Sequence, residues 1–72
     1  MALSKNAQVC ALSAKCAKAV RYAKGGRIGD AQVLLGEVQR GLHRIGGDEA
    51  LAYEVDHAWD VVEASVQLHF FC

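Results

Sequence analysis

Apolar side chains recur every three or four residues in three separate stretches of the chain. This is the period of a one-sided α-helix, and it differs from the strict alternation of a β-strand. The chain contains no proline, so glycine pairs at 25–26 and 46–47 mark the breaks. The predicted helices span residues 3–24, 30–45 and 48–71. The pattern therefore predicts a single all-α domain over residues 1–72, a three-helix antiparallel bundle with a long C-terminal helix.

Short polar residues and glycine indicate where these helices end. Ser4, Asp30 and Asp48 are predicted N-caps, because their side-chain oxygens can accept a hydrogen bond from a free N–H group of the first turn. Gly25 is predicted to follow the first helix with a positive φ.

Each predicted helix has one apolar stripe, and the three stripes are expected to form the core. The core stripes comprise Val9, Leu12, Cys16, Ala19, Val20 and Ala23; Ala31, Leu34, Leu35, Val38, Leu42 and Ile45; and Leu51, Val55, Ala58, Trp59, Val62, Val66 and Phe70.

The third predicted helix carries a second line of mostly apolar residues beside its core stripe. The steps from residue 57 onwards alternate between four and three residues, a spacing typical of a helix–helix seam. This line, named the third-helix ridge, comprises Tyr53, His57, Val61, Ala64, Leu68 and Phe71. A lone three-helix domain covers both lines only if the third helix is central, so we expect the ridge to contact a second copy or a larger protein.

Composition adds a charge asymmetry to this picture. The 72 residues are 53% hydrophobic and carry no net charge. Residues 1–30 hold six basic and one acidic side chain, whereas residues 31–72 hold two basic and seven acidic ones, giving +5 and −5. Opposite charges predict that the first helix lies against the third, in the same chain or in a partner. A basic contact ridge is predicted at Lys15, Lys18, Arg21 and Lys24.

The cysteines and the N-terminal segment indicate a cytoplasmic protein. Cys10, Cys16 and Cys72 are an odd number, and lysines interrupt the first thirty residues, so we expect neither a disulfide framework nor an export signal. No apolar run reaches the roughly 18–20 residues that a membrane span needs.

One short motif has the spacing of a metal site. Glu54 and His57 form a Glu-x-x-His pair, as in di-iron helical bundles, and Glu37 could complete the set in a dimer. Four-residue patterns are common by chance, and Glu37 is predicted to face solvent. We therefore expect no metal or cofactor. No catalytic motif is present, so we expect no enzymatic activity.

Nucleic-acid binding is the alternative function. Two helices joined by a glycine turn can form a helix-turn-helix-like unit, with the second helix reading the DNA and the basic first helix contacting the backbone. The predicted contacts are Gln32, Gln39, Arg40 and Arg44. The zero net charge and the acidic third helix argue against this function.

The first two predicted helices contain small, aromatic, glycine and apolar residues at a regular spacing, namely Ala19, Tyr22, Gly26, Ala31, Leu35 and Val38. This spacing resembles that of a tetratricopeptide repeat. The match covers about 20 residues, lacks the terminal proline and occurs once, whereas stable arrays need about three copies. It implies an ordinary helical hairpin.

Together these features predict a non-enzymatic protein–protein interaction module. We expect a small adaptor or inhibitor of bacterial or phage type that acts through the third-helix ridge, as a homodimer or on a larger partner.

Overall fold

Three helices form the protein in a computed structural model, which describes the backbone of residues 4–71 and the side chains of residues 4–68. The helices are α1 (Lys5–Lys24), α2 (Ile28–Arg44) and α3 (Glu49–Phe71). Each helix packs against both others, and residues 4–71 contain no strand. The predicted all-α, three-helix architecture is confirmed.

Two of the three predicted N-caps are confirmed. Ser4 Oγ accepts from the Ala7 N–H at 3.2 Å, and Asp48 Oδ1 accepts from the Leu51 N–H at 2.9 Å. The prediction for Asp30 is wrong, because α2 begins two residues earlier. Asp30 lies in the first turn, where a negative charge favours the helix dipole, and accepts a 2.8 Å hydrogen bond from Arg27 Nε.

The earlier start of α2 follows from the turn before it. Gly26 has a φ of 89°, and the Arg27 N–H donates to the Tyr22 carbonyl at 2.8 Å, as in a Schellman turn. Gly25 itself has a φ of −84°, so the prediction of a positive φ was wrong by one residue. An equivalent turn ends α2 at Gly46, with a φ of 86°.

The core lies along the axis where the three predicted stripes meet. Its largest fully buried side chains are Leu35, Leu51, Val38 and Val62. Trp59 packs against this core as predicted, although its buried indole N–H has no hydrogen-bond partner among the described residues. The Phe70 side chain lies outside the described residues.

Ile45, predicted for the core, is half-buried and is not among the side chains packed against it. The core prediction for Val66 is wrong. This side chain is 39% exposed, whereas the neighbouring Ser65 is buried. The Cys16 Sγ donates to the Glu54 carbonyl at 3.3 Å, so Cys16 of α1 and Glu54 of α3 lie at the same level along the bundle. From that level α1 continues for eight residues and α3 for 17, so α3 extends past α1 by about 13 Å at 1.5 Å per residue. Val66 lies on this extension at the edge of the buried face of α3, about 100° round the helix from the buried Ser65.

Apolar packing, rather than ion pairs, joins α1 to α3. The ion pair formed among the described side chains, with its charged atoms within 4 Å, joins Arg27 and Asp30. It is exposed and lies at the start of α2, away from the contact between α1 and α3. The predicted charge pairing between the first and third helices does not occur within the described part of the chain. The exposed charges of both helices are left to solvent or to partners.

Two glycines inside α2 predict opposite effects of adding a methyl group. A Cβ on Gly41 would lie 2.6 Å from Leu12 Cδ2, whereas one on Gly36 would have its nearest neighbour at 3.9 Å. Gly36→Ala should therefore raise the free energy of unfolding by about 0.5–1 kcal/mol. Gly41→Ala should be less stable than Gly36→Ala by about 1–3 kcal/mol, because Leu12 must move. Urea unfolding measures both, and equal gains would contradict the predicted cost of moving the Leu12 side chain.

Candidate interaction surfaces

The third-helix ridge is exposed at most of its described positions. Tyr53 is 71% exposed and Leu68 is 64% exposed, while His57 and Ala64 also face solvent. Val61 differs from the prediction, because it is half-buried and packs against the core. Val61 follows the buried Ala58 by three residues, and side chains three residues apart on a helix point in directions only about 60° apart. Val61 therefore points partly towards the core. The Phe71 side chain lies outside the described residues.

The ridge borders a groove between α1 and α3 of about 290 Å³. Its lining residues are Ser13, Cys16, Ala17, Val20, Glu54 and His57. Small side chains form its α1 wall, and the Glu-x-x-His pair forms its α3 wall. The ridge therefore adjoins the α1 side chains of this groove at His57.

This groove does not assemble a metal site within one chain. Glu37 lines a different groove, between α1 and α2, and is therefore apart from Glu54 and His57. The described residues contain no group of three or more histidines, cysteines or carboxylates placed to bind a metal ion. Burial raises the pKa of the Cys16 thiol, and the Glu54 carboxylate raises it further. A protonated thiol is a poor metal ligand and a poor nucleophile.

The four lysine and arginine residues of the predicted basic ridge are all exposed, but they wind around α1. Each step of three residues turns the side chain about 60° relative to the previous one. Lys15 lines the groove towards α2, and Lys18 Nζ lies 5.5 Å from the centre of the Tyr22 ring. Arg21 and Lys24 lie further round the helix, so the four do not form one line along its axis.

The predicted nucleic-acid contacts divide between two sides of α2. Gln39 lines a groove between α2 and α3, whereas Arg40 and Arg44 line the groove between α1 and α2. Gln32 is exposed. A single face of α2 therefore does not present the glutamines and the arginines together.

The groove between α1 and α2, named the α1–α2 groove, is a feature that the sequence analysis missed. It has a volume of about 280 Å³. Its lining residues are Leu12, Lys15, Glu37, Arg40, Gly41 and Arg44. Three cations from two helices meet here, although Lys15 and Arg40 are 25 positions apart in the chain. The one sequence signal was a glycine in the interior of a helix, which often marks a close approach.

No family model, curated protein or solved structure matches this chain. None of the helices, as far as they are described, has a stretch both long and apolar enough to cross a bilayer. The surfaces of the chain itself are therefore the basis for a proposed function.

Proposed function

We propose that the protein is a non-enzymatic protein–protein interaction module of the cytoplasm, a small adaptor or inhibitor of bacterial or phage type that acts through the third-helix ridge. The observation that supports this proposal best is the exposure of Leu68, on the part of α3 that extends past α1. Single exposed leucines are common on protein surfaces. Leu68 differs from them because it continues along α3 the line of Tyr53 and His57, and His57 lines the groove between α1 and α3.

Burial of these side chains would stabilise a complex. Removing a leucine side chain from water contributes about 1.5–3 kcal/mol, and a tyrosine adds a large apolar face with a polar tip. Small domains also gain from association, because their own cores bury a limited area. The ridge therefore offers a favourable contact and supplements a modest core.

A second copy of the chain fits the ridge. Tyr53 lies eight residues before Val61, and Leu68 lies seven residues after it. In an antiparallel pair with a twofold axis near Val61, Tyr53 of each copy would therefore meet Leu68 of the other. Closed twofold pairs are the most common oligomers of soluble proteins.

Light scattering on Leu68→Asp tests the proposal. We expect the wild type to be a dimer and Leu68→Asp to be a monomer, because a carboxylate in the contact would be buried without a partner. Val33→Asp is the matched control, since Val33 is also 64% exposed but lies on α2. It should remain dimeric.

Two outcomes would contradict the pairing of two copies through the ridge. One is a wild type that is monomeric at its highest soluble concentration, which removes the second copy as the partner. The other is a dimer that Leu68→Asp and Val33→Asp leave equally intact, which places the contact elsewhere. Circular dichroism of both variants checks that each remains folded.

A further inference from the structure

The α1–α2 groove has an excess of positive charge. Lys15, Arg40 and Arg44 line it, and Glu37 is the one acid among its lining residues. None of these cations has an ion-pair partner within 4 Å among the described side chains, where the ion pair formed is Arg27–Asp30 at the start of α2. The charged groups are thus free to bind an anion, and the groove carries a net charge of about +2.

The groove also has an apolar side. Leu12 and Gly41 are its apolar lining residues, and both also line an adjoining, mainly apolar hollow of about 140 Å³ together with Ala11 and Gln8. The missing side chain at Gly41 brings the two helices together, since a Cβ there would lie 2.6 Å from Leu12 Cδ2. The groove therefore suits a ligand with both a negative charge and an apolar part.

Carboxylate side chains of a protein fit this chemistry better than nucleic acid does. The planar guanidinium groups of Arg40 and Arg44 are suited to bidentate hydrogen bonds with carboxylates. Among the residues that the structure describes, no aromatic ring lines the groove to stack on a base. Gln39, which could read base edges, lines the opposite side of α2. The chain also has no net charge to attract a polyanion over a distance.

We propose that the α1–α2 groove binds an acidic segment of a partner protein. Carboxylates of that segment would be held by Arg40, Arg44 and Lys15, and a neighbouring apolar side chain would pack on Leu12. The groove lies on a different face from the third-helix ridge, so this binding does not depend on association through the ridge.

An NMR titration of the ¹⁵N-labelled protein tests this proposal. The probe is a blocked helical peptide of glutamate, alanine and leucine, and the comparison is the same peptide with every glutamate replaced by glutamine. We expect saturable shifts of the Lys15 and Gly41 amide signals with the acidic peptide alone, weaker at high salt. These two titrations use the wild type and do not depend on any variant.

Charge variants then locate the binding. The double variant Arg40→Gln and Arg44→Gln should weaken the binding about tenfold, because it removes charge-assisted hydrogen bonds. The matched control is Lys5→Gln with Lys24→Gln, an equal charge change at exposed positions outside the groove. It should change the affinity by less than about threefold. Leu68→Asp should bind the peptide as the wild type does.

Four results would overturn the proposal. They are the absence of saturable shifts, equal binding of the glutamine peptide, equal weakening by the control variant, and tighter binding of duplex DNA through the same arginines. The last result would identify the groove as a nucleic-acid site.

Discussion

Replacing Leu35 with alanine is expected to leave much of the protein unfolded at 25 °C. Leu35 lies in the middle of α2 with no exposed surface, and with Leu51 it is one of the two largest fully buried side chains among the described residues. Truncation of a buried leucine costs about 2.7–5 kcal/mol, because apolar contacts are lost and a cavity remains. A domain of this size has a free energy of unfolding of roughly 4–11 kcal/mol, and small cores lie towards the lower end. The substitution therefore removes most of the stability.

Urea unfolding followed by circular dichroism measures this loss. Val33→Ala is the control, because Val33 lies on the same helix with 64% of its surface exposed. It should change the free energy of unfolding by no more than about 0.5 kcal/mol. If Leu35→Ala kept nearly the whole stability of the wild type, Leu35 would not lie in the core.

The same measurement connects the core with the proposed association. If the ridge pairs two copies, the unfolding midpoint rises with protein concentration, because association stabilises the folded state alone. Leu35→Ala should then regain part of its structure at high concentration. Leu35→Ala combined with Leu68→Asp should not, since it lacks both the core side chain and the ridge contact.

The helices could be predicted closely from the sequence, because local rules determine them. Apolar periodicity and the glycine pairs gave each helix boundary to within about two residues. The errors arose where several backbone hydrogen bonds act together. Asp30 is a residue type common at N-caps, but the Schellman turn at Gly26 places Arg27 in the N-cap position, so α2 begins at Ile28.

The candidate surfaces were less predictable, because they depend on how the helices lie against one another. Periodicity identified the exposed Tyr53 and Leu68, but it could not show that Val66 lies beyond the end of α1. Nor could it bring Lys15 together with Arg40 and Arg44, since their meeting depends on the register of α1 against α2. The close contact of Gly41 with Leu12 determines that register locally.

Cys16 is expected to react with iodoacetamide about a thousandfold more slowly than Cys10. Cys10 is exposed, whereas Cys16 is 3% exposed and donates a hydrogen bond to the Glu54 carbonyl. Burial first, and the Glu54 carboxylate second, raise the pKa of the Cys16 thiol, which lowers the fraction of reactive thiolate. Alkylation must therefore await opening of the fold, and an opening free energy of about 4 kcal/mol gives a factor of about a thousand.

Mass spectrometry of two single-thiol variants measures the ratio. Cys10→Ser with Cys72→Ser leaves Cys16, and Cys16→Ala with Cys72→Ser leaves Cys10. The two rates should converge in concentrated urea, and similar rates in native buffer would show that α1 and α3 do not cover Cys16.

The raised pKa of Cys16 also predicts a pH dependence of stability. Below the ordinary thiol pKa of 9.0 the folded and the unfolded protein both keep the thiol proton, and above that value the unfolded protein releases it first. Stability should therefore fall as the pH rises above 9, and Cys16→Ala should reduce that fall, because the difference in proton binding at this position is gone.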